Sequence, residues 1–254
     1  MSRILAVAAN TYRETVRERV LYNLVFFALL MTASGVFMKQ LSIRQDERII
    51  KDIGLAAMEL FGTLIAVFIG VGLVSKEIER RSLYPLLAKP LGRTEFILGK
   101  FAGLGFTLLV NVAVMTAGLY LTLAATGRAV DPNLMKAVYT MYLGLLLVVA
   151  LALLFSAITS SMLAAVGTVI LVVAGRFSDV IRNMKQVAPG TPDWLAQGLY
   201  YVLPNFRNFD IKMRVVHFDP VSATDLAWIT VYAVGYLGVV LGLALTVFRS
   251  REFV

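Results

Sequence analysis

Apolar residues along this chain fall into long blocks, not into the half-buried alternation of a soluble fold. Blocks near 20–38, 54–75, 101–125, 137–158, 161–175 and 226–248 are separated by polar segments. About 20 apolar residues cross a bilayer as a helix, so the pattern predicts an all-α integral membrane protein with six transmembrane helices. The count rests on the stretch Ala137–Gly175, which carries no charge over 39 residues. As one helix it would measure about 58 Å, against a hydrocarbon core of about 30 Å. Two spans fit, with a turn at Thr159-Ser160-Ser161, the most polar point of the run. The whole chain, 1–254, is expected to form a single transmembrane domain.

The polar segments have characters of their own. Over 3–19, Leu5, Ala8, Tyr12, Val16 and Val20 recur at helical spacing, and Arg3, Asn10, Arg13, Glu14 and Arg17 fill the other side. This predicts an amphipathic helix lying in the membrane interface; the alternative is a solvated extension of the first span. The charged residues ahead of the first span, and the further spans behind it, do not fit a cleavable signal peptide. The segment 176–225 holds Pro189, Pro192, Pro204 and Pro220 with Trp194, Tyr200, Tyr201, Phe206 and Phe209. That mixture predicts short helices at the interface, with aromatic rings at headgroup depth.

Composition agrees with lipid as the solvent. Charged residues make up 16% and hydrophobic ones 59%, where soluble domains carry about 25% charged; the mean hydropathy is +0.78. The net charge of +8 comes from basic residues flanking apolar blocks, which points to anionic lipid headgroups and topology, not to nucleic acid. Twelve basic residues fall on each side of a six-span topology. They are packed more tightly before the first span, in 76–100 and at the end, so both termini and the 76–100 loop are expected in the cytoplasm.

The most polar segment is KEIERRSLYPLLAKPLGRTEFILGK, 76–100. Glu77, Glu79, Arg80 and Arg81 make a dense charged patch, with Leu83, Leu86 and Leu87 as an apolar side. A helix of this kind between two spans suits docking to a cytoplasmic partner; the plainer reading is a solvated loop. Gly92 and Gly99-Lys100 do not have the spacing of a phosphate loop, and Phe101 stands where Ser or Thr would be needed, so nucleotide binding by this chain is rejected. Gly99-x-x-x-Gly103 and Gly238-x-x-x-Gly242 read as close helix packing. Within the spans only Glu59 and Asn111 stand out. Glu59 falls near the outer interface, where a carboxylate in water is the plainer reading and a functional intramembrane charge the sharper one. Asn111 reads as an interhelical hydrogen bond, or as part of a substrate path. A lone His217, ten dispersed methionines and no cysteine build no metal site and no cysteine nucleophile, and no paired-carboxylate or Ser/His/Asp set is present.

The segment VGLVSKEIERRSLYPLLAKPLGRTEFILGKFAG (71–103) resembles the membrane subunits of ABC transporters of the type-2 permease class. It is most similar to the group annotated for multi-copper enzyme maturation, which includes permeases of nitrous oxide reductase assembly. ANTYRETVRERVLYNLVFFALL (9–30) and IIKDIGLAAMELFG (49–62) are similar to that group too. The resemblance implies a non-catalytic permease in a bacterial or archaeal plasma (inner) membrane, acting as a homodimer or with a paralogous permease. It implies a cytoplasmic ATP-binding cassette ATPase as partner; ATP and magnesium would sit on that partner and no cofactor on this chain. Glu77, Glu79, Arg80, Arg81 and Ser82 would make the coupling contact. The segment 176–225 would form short re-entrant or external helices able to meet a periplasmic or extracellular partner. The group's name implies copper, but the missing Cys and Met clusters argue against metal transport by this chain. Two rival functions remain: a membrane relay to an external partner, and a secondary transporter or channel, which would need more buried ionisable residues.

Overall fold

A computed structural model of the chain describes residues 3–17, 26–27, 30–31, 33, 46–79, 92–127, 131–183, 192–217 and 219–250. Helices α1 (Arg3–Arg17), α2 (Asp46–Glu79), α3 (Arg93–Ala125), α4 (Leu134–Ile158) and α5 (Ser161–Arg176) are followed by the short α6 (Ser178–Arg182), then by α7 (Asp193–Val202). A 3-10 turn at Phe206–Phe209, the short α8 (Lys212–Val216) and α9 (Ala223–Ser250) complete the order. No strand occurs among the described residues. Four helices are long and apolar enough to cross a membrane: α2 over Arg48–Gly72, α3 over Thr94–Ala125, α4, and α9 over Ala223–Phe248. The expected first span, 20–38, lies largely outside the described residues; within it Phe27 and Met31 are buried.

The uncharged run divides as its length requires. Thr159 ends α4 in an extended conformation and Ser160 opens α5. An all-round apolar helix belongs inside a protein, and α4 is the centre of the bundle, with 67% of its apolar stretch buried against 22% for α9. It packs on α2, α3, α5 and α9. Helices α2 and α4 run in the same direction, with Gly62 against Leu145 and Gly70 against Ala152.

Helix α2 extends beyond the span read near 54–75, back to Asp46: Lys51, its side chain fully buried, pairs with Asp131 across 3.3 Å and so carries a charged stretch into the bundle. Helix α3 begins at Arg93 and runs on into the third span, with Glu95 Oε2 accepting from the Gly92 backbone N–H at 3.0 Å. The face that α1 buries differs from the sequence reading. Thr11 and Thr15 are fully buried while Leu5 is exposed, because α1 packs lengthwise on a notch in α3. A Cβ at Gly99 would stand 2.6 Å from Val7 Cβ, and one at Gly103 2.6 Å from the Ala8 carbonyl oxygen. Only glycine admits a backbone this close.

Candidate functional site

Two ends of the bundle carry the chemistry. The end bearing residues 80–91 is called proximal here and the other distal. At the proximal end, Ala152 lies six residues before the end of α4, and its neighbour Gly70 lies nine residues before Glu79. At 1.5 Å per residue, α2 thus runs about one turn past α4. Helix α3 returns at the same level. Phe96 and Ile97 cluster with Ala157 of α4 and Phe248 of α9, and the Phe96 and Phe248 rings stack at 5.9 Å. The Lys100 ammonium, 2% exposed, lies 3.9 Å from the Glu14 carboxylate and 5.7 Å from the Phe96 ring. The start of α3 is therefore tied to α1 and to the last turns of α9. Glu77 and Glu79 fall in the last turn of α2; Arg80, Arg81 and Ser82 lie outside the described residues.

The distal half combines a short helix with a returning segment. Helix α5 has 16 residues, about 24 Å, and stops well short of the distal end of α4. The remaining depth is filled by the segment after α7. Tyr236 donates to the carbonyls of Tyr201 (3.3 Å) and Val202 (3.1 Å), and Tyr236 lies 13 residues into α9, about 20 Å from its start. The Asn205 N–H donates to Tyr232 Oη at 2.7 Å. Phe209 packs on Gly144, ten residues into α4, about 15 Å down. The chain then climbs, and Lys136, near the distal start of α4, donates to the Val221 carbonyl at 3.0 Å. Residues 201–217 thus form a re-entrant arm. Phe206 and Phe209, expected at headgroup depth, are 6% and 5% exposed in the main core; Trp194 and Tyr201 stay exposed.

Glu59 meets this arm. Its Oε1 accepts from Arg176 Nη2 at 2.8 Å and its Oε2 from Lys212 Nζ at 2.8 Å. Lys212 also lies 3.5 Å from Asp210, and Asp179 pairs with Arg207 nearby. Glu59 sits one turn distal of Gly62, which faces Leu145, so it lies about 12 Å below the distal start of α4. It is therefore inside the bundle and doubly paired, not an interfacial carboxylate in water. Asn111, 4% exposed, donates through Nδ2 to Thr107 O of its own helix at 2.7 Å; among the described residues its Oδ1 has no partner and the expected interhelical bond is not made. Arg176, Lys212 and Asp210 escaped the sequence reading, since Lys212 is 153 residues from Glu59 and sits in a segment read as re-entrant or external. The available signal was four charges, Arg207, Asp210, Lys212 and Arg214, within a stretch rich in aromatic residues. His217 is exposed, with Nδ1 2.9 Å from the Met213 carbonyl oxygen. No group of three or more His, Cys, Asp or Glu side chains that could hold a metal ion occurs among the described residues. Of the two G-x-x-x-G motifs, Gly99/Gly103 packs closely, while Gly238 and Gly242 face open space.

A search of curated proteins finds no match. A family model described as "ABC-2 family transporter protein" matches residues 5–253, nearly the whole chain and all of the helices above but the first two residues of α1. The chain belongs to the ABC-2 transporter family and is a membrane-embedded permease subunit of an ABC transporter.

Proposed function

We propose that this permease couples ATP hydrolysis on a separate cytoplasmic subunit to movement across a bacterial or archaeal plasma membrane, with both termini cytoplasmic. The observation that carries this reading is the proximal face. Helix α2 passes the end of α4, α3 returns at the same level, and α1 and α9 are fastened to the start of α3. The 12 residues between, 80–91, are anchored at both ends by long helices, so a push on them is delivered to α2 and α3 together. Members of the family generally work with a cytoplasmic ATP-binding partner. Glu77, Glu79, Arg80, Arg81 and Ser82 make the contact, ATP and magnesium are held by the partner, and this chain performs no chemistry of its own. Two copies, or one copy and a paralogue, complete the membrane unit. The likeness of 71–103 to permeases of multi-copper enzyme maturation supports placing the chain in that group without assigning it copper as cargo.

Purification of the chain from its native membrane tests the proposal. An ATP-binding cassette protein is expected to come with it, and the charge reversals Glu77→Lys and Arg81→Glu are expected to break the association or its stimulated ATPase activity. Purification without such a subunit, together with unchanged function in both variants, overturns it.

A further inference from the structure

The charges around Glu59 lie about 12 Å below the distal start of α4, within the spans, where ionisable groups are costly, and the coupling mechanism above gives them no task. Four groups meet there: Glu59 on α2, Arg176 at the end of α5, and Asp210 and Lys212 on the re-entrant arm. Two of them belong to helices of the bundle and two to the arm. Each pair is neutral within itself, with Glu59 against Arg176 at 2.8 Å and Asp210 against Lys212 at 3.5 Å. Between the two pairs, the Lys212–Glu59 contact at 2.8 Å is the charged link. If the arm leaves α2, Lys212 keeps Asp210 and Glu59 keeps Arg176, so none of these four groups is left unmatched, the outcome that makes breaking most buried pairs costly; the arm's Arg207–Asp179 pair lies between exposed side chains. Helix α2 is also unbroken from Asp46 to Glu79, so Glu59 and the proximal loop ride on one rod, 20 residues or about 30 Å apart.

We propose that Glu59 is the positioning residue of a distal lock. Its link to Lys212 holds the arm 201–217 against α2, and displacement of α2 from the proximal face releases Lys212 with its partner Asp210 still beside it. The arm fills the distal third of the position that α5 leaves incomplete, so its release opens that third toward the distal side. This rests on the ATP-coupled reading, because ATP is what moves α2.

A cross-link reports whether the arm is seated. A Cβ at Gly144 would stand 3.3 Å from Phe209 Cβ, close to the roughly 3.5–4.5 Å of a disulfide, and the chain has no cysteine of its own. The Gly144→Cys/Phe209→Cys permease is assembled with its ATPase in lipid nanodiscs, and the rate of oxidation is followed by peptide mapping. Without nucleotide the bond is expected to form fast. With ATP and a hydrolysis-deficient ATPase it is expected to form about tenfold more slowly, a shift of ~1.4 kcal/mol. Adding Glu59→Gln is expected to give the slow rate without nucleotide. Adding Asp210→Asn, which removes the partner that Lys212 keeps on release, is expected to hold the fast rate with ATP; this second variant, at a half-buried residue, keeps the test decisive if the first does not assemble. Parent-like rates in both variants overturn the lock, whatever ATP does. If Glu59→Gln slows the bond without nucleotide but ATP does not change the rate in the parent, the lock stands and the ATP-coupled reading falls.

Discussion

Replacing Gly103 with valine probes the joint between α1 and α3. A Cβ at this position would stand 2.6 Å from the Ala8 carbonyl oxygen and 2.7 Å from Thr11 Cβ. Ordinary contact begins near about 3.5 Å, so the shortfall is close to an ångström, and one obstacle is backbone that no rotamer change can move. Helix α1 must retreat. Overpacking of this kind costs about 1–3 kcal/mol, and leaving glycine in a helix interior returns ~0.5 kcal/mol. The net, about 1.5 kcal/mol, is roughly a tenfold rise in the undocked population of α1. Hydrogen exchange read by mass spectrometry is the assay. Peptides from 3–17 are expected to lose protection by about that factor, while the α4 peptides keep theirs. The control is Gly238→Ala, in the motif of identical spacing, where nothing lies within 4 Å; exchange is expected to stay the same or slow slightly. Unchanged protection of α1 in Gly103→Val, or equal loss in α4, would refute the packing account.

Lys51→Met leaves Asp131, 10% exposed, without its cation and is expected to cost about 3 kcal/mol; the double variant with Asp131→Asn is expected to recover most of it, as read by thermal unfolding in detergent. A double variant no better than the single one would show that the pair is not what stabilises that corner. Asn111→Leu removes a buried oxygen that has no partner, so stability is expected to hold or rise by about 1 kcal/mol. A clear loss of melting temperature would refute the reading of Oδ1 as an unsatisfied oxygen.

The parts of the fold legible in the sequence are those decided by composition over a long window. Ala137–Gly175 had to break in two because one helix would overshoot the bilayer, and it breaks at the polar turn. Relations between distant residues were not legible. Lys51 looked like a loop residue because its partner Asp131 is 80 residues away. The two G-x-x-x-G motifs are equivalent as text, yet only Gly99/Gly103 meets a helix among the described residues, since the motif records permission for close approach and not the presence of a neighbour. The apolar stripe of α1 pointed to Leu5, but the notch in α3 selects small side chains, so Thr11 and Thr15 are buried instead. Helix α5 could be seen to be short, but nothing local says that a segment 30 residues later completes its depth.

The ion cluster raises the question of whether such charges are there to stabilise the bundle. Removing water from charged groups costs several kcal/mol per ion, and well-packed apolar substitutes for a buried pair are often neutral or better. If Glu59, Arg176 and Lys212 served stability, replacing all three by leucine would be ruinous. If they serve position, the triple variant is expected to melt within about 1 kcal/mol of the parent, whereas Glu59→Leu alone takes the carboxylate from Arg176 and leaves Lys212, 24% exposed, with Asp210 only, and is expected to cost about 3 kcal/mol. Asp210, 34% exposed, can still reach water in the triple variant. Thermal unfolding of the two variants side by side decides the matter. A triple variant as unstable as the single one would make the cluster a structural support; a stable triple variant with altered arm release leaves the cluster one purpose, to hold the arm in a place it is able to leave.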